Sequence, residues 1–83
     1  MAKPAQEIVV RNFRVDTKDI VFIKAILESY EGMVVMRTVE VGKPVIELLI
    51  ARDFAETVDR LIRDLASQVE MVEVEPSAPP DWL

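Results

Sequence analysis

The hydrophobic positions of this chain switch between two periods. From Glu7 to Val15 they alternate: Val9, Phe13 and Val15 fall on one side with Arg11, and Ile8 and Val10 on the other with Asn12 and Arg14. That is strand periodicity. Both sides are mixed, so the inward face stays open, and a bulge near Arg11-Asn12 would let both apolar sets reach a core. From Thr17 to Glu31 the spacing becomes three-and-four, with Ile20, Ile23, Ile26, Leu27 and Tyr30 as a helical stripe and Lys18, Lys24, Glu28 and Glu31 left for water. Gly32 fits the left-handed position that ends a helix.

Alternation returns over Met33 to Val41 and again over Val45 to Ala51, with Gly42, Lys43 and Pro44 as a short hairpin connection. On the second of these strands Ile46, Leu48 and Ile50 are wholly apolar and should face the core. Val45, Glu47, Leu49 and Ala51 take the opposite side. A second helix is expected from after Asp53 to about Gln68, on the stripe Phe54, Val58, Leu61, Ile62, Leu65 and Val69. Its outer face carries Glu56–Arg60 and Asp59–Arg63 in the favourable acid-first order. Met71 to Glu75 closes the set as a fourth short strand. Pro76, Pro79 and Pro80 then stop any regular element.

The strand-to-helix corner Val15-Asp16-Thr17-Lys18-Asp19-Ile20 organises the pattern. Asp16 suits an N-cap, Asp19 adds negative charge to the first turn, and Val15 and Ile20 have hydrophobic-staple spacing. The corner is expected to recur at Arg52-Asp53-Phe54-Ala55-Glu56, with Asp53 and Glu56 in the two cap positions. The element order is then strand, helix, strand, strand, helix, strand in two similar halves. Right-handed crossovers put both helices on one sheet face. The expectation is an α+β, ferredoxin-like βαββαβ sandwich with a four-stranded antiparallel sheet in the order 4-1-3-2. Residues 1–6 form a lead, 7–75 the single domain, and 76–83 a proline-rich tail. The helix-free side of the sheet is expected to carry Val35, Arg37, Val39, Glu47, Leu49, Met71 and Glu73, apolar groups mixed with both charges, as a self-complementary interface would need.

Composition narrows the chemistry. Eighty-three residues with no cysteine and no histidine exclude disulfides and thiolate metal sites, and remove the commonest general base. A net charge of −5 argues against a nucleic-acid partner, and only Phe13 could stack a base on this sheet. No apolar run is long enough for a membrane helix, and the opening Met1-Ala2-Lys3-Pro4 has no signal-peptide character. A cytoplasmic protein is expected, with no membrane partner.

The corner and Gly32-Met33-Val34 together resemble the ACT-like domains, small regulatory modules of the ferredoxin-like fold, over about residues 7–75. Their pattern is an aspartate–arginine–proline–glycine turn after the first strand, a helix, and a glycine before the second strand. The resemblance implies a homodimer and a small-molecule ligand, such as an amino acid, held at Asp16, Thr17, Lys18 and Asp19. Here Lys18 stands at the proline and Asp19 at the glycine, where a carboxylate would repel a ligand carboxylate. The stretch Ile26 to Gly32, Ile-Leu-Glu-Ser-Tyr-Glu-Gly, is also similar to one in a family of short, uncharacterised bacterial stand-alone domains.

Other candidates read more plainly. Asp16 and Asp19 lack a third oxygen ligand for a hard cation and are explained as caps. Arg11, Arg14 and Arg37 suit solvated or interface roles better than an anion site, because the first loop lacks the glycines and arginine of acylphosphatase-like enzymes. No catalytic residue, metal or cofactor is expected. Tyr30 belongs to the core rim, and Trp82 is a candidate docking anchor in the tail. The function expected is that of a non-enzymatic regulatory or assembly module acting as a homodimer, with Val35, Arg37, Val39, Glu47, Leu49 and Trp82 at interfaces. The alternative is an adaptor that engages another protein through its tail and Trp82.

Overall fold

The computed structural model describes residues 8–39 and 44–76. In chain order the elements are β1 (Ile8–Val15), a 3-10 turn (Thr17–Asp19), α1 (Ile20–Glu28), β2 (Val34–Thr38), β3 (Val45–Ala51), a second 3-10 turn (Arg52–Phe54), α2 (Ala55–Ala66) and β4 (Met71–Val74). The four strands form one antiparallel sheet in the order β2-β3-β1-β4. This is the ferredoxin-like α+β arrangement that the periodicity predicts. The lead, the tip of the expected hairpin at Gly42 and Lys43, and the tail with Pro79, Pro80 and Trp82 lie outside the described residues.

Strand β3 shows how sequence sets packing. Its burial alternates without a break, with Ile46, Leu48 and Ile50 buried and the residues between them half-buried. The cross-strand register carries this phase to the neighbours, because directly opposed residues share a face. Val9, Arg11 and Phe13 lie opposite Ile50, Leu48 and Ile46, so this is the inward face of β1. Pairing is continuous from Ile8 to Arg14, so the expected bulge at Arg11-Asn12 is absent. Against this face pack Ile23 and Leu27 of α1 and Val58, Leu61, Ile62 and Leu65 of α2. Each such side chain contributes about 1.5–3 kcal/mol by leaving water.

Three expectations are corrected. The corner recurs 35 residues on, not at the 37-residue spacing that matches Asp16 with Asp53: the first 3-10 turn starts at Thr17 and the second at Arg52, and the helices start at Ile20 and Ala55. Ala51 and Phe54 therefore hold the cap positions, with Asp53 inside the 3-10 turn and Glu56 in the first turn of α2. The first helix is also shorter than Thr17–Glu31. It ends at Glu28, and residues to Met33 form turns in which the Ser29 and Tyr30 amides donate to Ile26 and Leu27 carbonyls. Gly32 keeps its left-handed backbone, with φ at +89°, but in the last of these turns.

The third correction concerns β4. Val15 opposes Met71 and Phe13 opposes Glu73, so Met71 and Glu73 lie on the helix-covered face and not on the helix-free one. Val72 and Val74 take their place. A strand of four residues is placed by its partners more than by its own pattern, and the partner here is the central strand β1.

Replacing Gly32 by alanine should destabilise the fold by about 1–2 kcal/mol, the cost of holding a Cβ in left-handed backbone. No atom lies within 4 Å of the Cβ position, so the loss would come from the backbone alone. Urea unfolding measures it, and an unchanged midpoint would show that the turn does not depend on that conformation.

Candidate functional site: the helix-free face of the sheet

The corner itself is built for structure. The Asp16 carboxylate accepts from the Lys18 amide at 3.1 Å, which caps the 3-10 turn, while the Asp19 amide donates to the Asp16 carbonyl at 2.9 Å. Asp19 makes no side-chain cap at the start of α1. Val15 is buried and Ile20 packs half-buried against the same core, as the staple spacing suggests. Asp16, Thr17, Lys18 and Asp19 are thus brought together in one short turn, with the first carboxylate already occupied by backbone. Among the described residues no group of three or more acidic side chains could hold a metal ion.

Arg11 and Arg37 are also accounted for by the sheet. Arg11, on the helix-covered face, donates through Nε and Nη2 to the two Glu73 carboxylate oxygens at 2.9 and 2.8 Å. Its Nη1 reaches Asp59 of α2 at 3.1 Å, and Asp59 also pairs with Arg63 at 3.0 Å. The guanidinium lies over the Phe13 ring, 5.3 Å from its centroid. This fork clamps β1 to β4 and to α2 and leaves little capacity for an external anion. The hydrogen bond from Arg11 holds the Glu73 carboxyl below its ordinary 4.5, against the opposing effect of burial, and the bond to Glu73 in turn raises the Arg11 guanidinium.

The helix-free face has a different character. Opposed residues place Ile8, Val10, Asn12 and Arg14 of β1 with Ala51, Leu49, Glu47 and Val45 of β3, flanked by Val35 and Arg37 of β2 and by Val72 and Val74 of β4. Val39 continues the alternation one residue past β2, opposite Val45, to whose carbonyl its amide donates at 3.3 Å. Ile8, Val10, Val35 and Val72 are exposed there, Val35 by 56%. Arg37 pairs with Glu47 at 2.7 Å, so both charge signs stand on the face beside the exposed Arg14.

Asn12 sits in the middle, between Glu47 and Val74, and is only 1% exposed. Among the described residues neither its amide nitrogen nor its carbonyl oxygen has a hydrogen-bond partner. A buried amide without partners costs about 1–3 kcal/mol, and native structures rarely keep one without use. The sequence pattern identified Val35, Arg37, Val39, Glu47 and Leu49 on this face. It missed Asn12, Val72 and Val74. The only signal for Asn12 was a polar residue at the midpoint of the central strand.

The family described as "Domain of unknown function (DUF4911)" matches residues 13–69, which runs from the middle of β1 through α2. No curated protein and no solved structure matches the chain. No helix among the described residues is long and apolar enough to cross a membrane.

Lowering the pH tests the Arg11 clamp. Glu73 is depressed in the folded chain, so between its folded and ordinary values the unfolded chain binds more protons and stability rises with pH. That contribution should be present above about pH 4.5 and fade as pH falls through the folded value. Arg11→Gln should lower the thermal midpoint at neutral pH and flatten its dependence in acid. Equal acid slopes for both proteins would contradict the clamp.

Proposed function

We propose that this chain, which belongs to the DUF4911 family of unknown function, is a non-enzymatic module that works by self-association, two copies packing their helix-free sheet faces together. The observation that carries this reading is the placement of its exposed apolar strand residues: Ile8, Val10, Val35 and Val72 all lie on the face that no helix covers. A face with both charge signs among exposed apolar residues can complement itself about a two-fold axis. Charged groups at Arg14, Arg37 and Glu47 would form the rim and set the register.

The likeness to ACT-like domains supports the same reading, since those modules regulate through pairing. In this reading the protein is a cytoplasmic regulatory or assembly domain. The corner at Asp16–Asp19 would serve the fold, with the Asp16 carboxylate kept by the Lys18 amide.

Sedimentation equilibrium at micromolar concentration should give at least the mass of two chains. A Val10→Asp, Val72→Asp double variant should lose the face contact while keeping wild-type circular dichroism, because both positions are exposed in the single chain. A wild-type protein that sediments as one chain across the micromolar range would overturn the proposal.

A further inference from the structure

The charges on the helix-free face do not balance. Arg37 is held by Glu47 at 2.7 Å, while among the described residues no ion pair or hydrogen bond engages the guanidinium of the exposed Arg14. Arg14 lies opposite Val72, and Val10 stands on the same face of β1. One unmatched cation thus borders two exposed valines on the β4 side of the sheet.

The chain leaves the sheet at that side. Val74, the last residue of β4, pairs with Asn12 and so belongs to the helix-free face, and the exposed Glu75 and Pro76 follow it. Residues 77–83 lie outside the described residues, but their sequence complements the patch: Asp81 is their one acid, next to Trp82 and Leu83. Pro79 and Pro80 lack the amide protons that a further strand on the β4 edge would need. They also restrict the unbound tail, which lowers the entropy lost when it settles on a surface. From Pro76 the six residues to Trp82 span up to about 20 Å when extended. Val72 lies four residues back along β4, about 14 Å at the rise of a strand, and β1 lies about 4.8 Å to the side.

We infer that the tail folds back over its own sheet, with Trp82 covering Val10 and Val72 and Asp81 pairing with Arg14. The indole is large enough to cover both valines, and its ring suits the guanidinium beside them. Tethering favours the chain's own tail over a free partner, because its effective concentration at the patch is on the order of millimolar. The patch is also part of the self-association face. A docked tail shields Val10 and Val72, so two chains pair through them only after both tails have left. This competition rests on the face reading given above, whereas the docking does not. The tail then sets the concentration at which the module assembles.

Trp82 is the chain's one tryptophan, so its fluorescence reports the tail alone. In the full-length protein at nanomolar concentration its emission should lie to the blue of that of a synthetic peptide of residues 77–83, with several-fold weaker quenching by acrylamide. Arg14→Glu and Val72→Asp should each move both readings to the peptide's values with unchanged circular dichroism, because both positions are exposed. Wild-type readings equal to the peptide's would overturn the docking. A blue shift that both variants keep would place Trp82 elsewhere, and one that appears only at concentrations where chains pair would assign it to a second copy; either result refutes the inference. In sedimentation, Trp82→Ala should tighten self-association roughly tenfold, as expected when a competing contact worth about 1.4 kcal/mol is removed. An unchanged or weakened association would refute the competition. Single chains for both wild type and Trp82→Ala across the micromolar range would overturn the face contact and the competition with it, and the docked tail would stand or fall on the fluorescence.

Discussion

A strand presents side chains to both sides, and the described residues supply helices for only one of them. Everything else follows from that constraint. The wholly apolar set Ile46, Leu48 and Ile50 claims both helices for its side, and the register of β3 with β1 and β2 then fixes which residues of every strand are left on the other. That remaining side is neither a polar surface nor a second core. Among the described residues it carries the exposed Ile8, Val10, Val35 and Val72, an Arg37–Glu47 pair and a buried amide without partners. A surface of that composition is costly for a lone chain and useful for one that pairs.

The two faces of β1 do different work. Toward the helices Arg11 ties β4 and α2 to the centre of the sheet through Glu73 and Asp59, and Phe13 fills the core beneath it. Away from them, one residue along, Asn12 stands buried and unpaired. The charged cluster that looks most like chemistry is a structural clamp, saturated by its own carboxylates. The quiet asparagine is the group with unmet hydrogen bonds.

Most of the fold was legible in the sequence because period two and period three-and-four separate cleanly in β3 and α2, and because each half repeats the same order. What failed had physical causes. The repeat was matched through Asp16 and Asp53, two cap-like residues, whereas the backbone matches Asp16 with Ala51, since the second 3-10 turn begins directly after β3. Met71 and Glu73 were expected outward, yet Glu73 turns inward to meet Arg11, 62 residues away. An ion pair across that distance leaves no mark on local periodicity. The 78% exposure of Val21 on α1 leaves no mark on the pattern either, because the stripe at Ile20, Ile23, Ile26 and Leu27 says nothing of apolar residues beside it. Of the candidate site, the β2 and β3 positions were readable; the β4 positions and Asn12 were not.

The central claim is that a second layer completes the helix-free face, and the Asn12 side-chain amide reports on it most directly. Its nitrogen-bound protons can be followed by NMR as protein concentration rises from micromolar to millimolar. The account predicts that they shift with concentration and exchange more slowly with water as a second copy covers the side chains around Asn12. Signals that stay fixed in position and exchange rate over the whole range would contradict it.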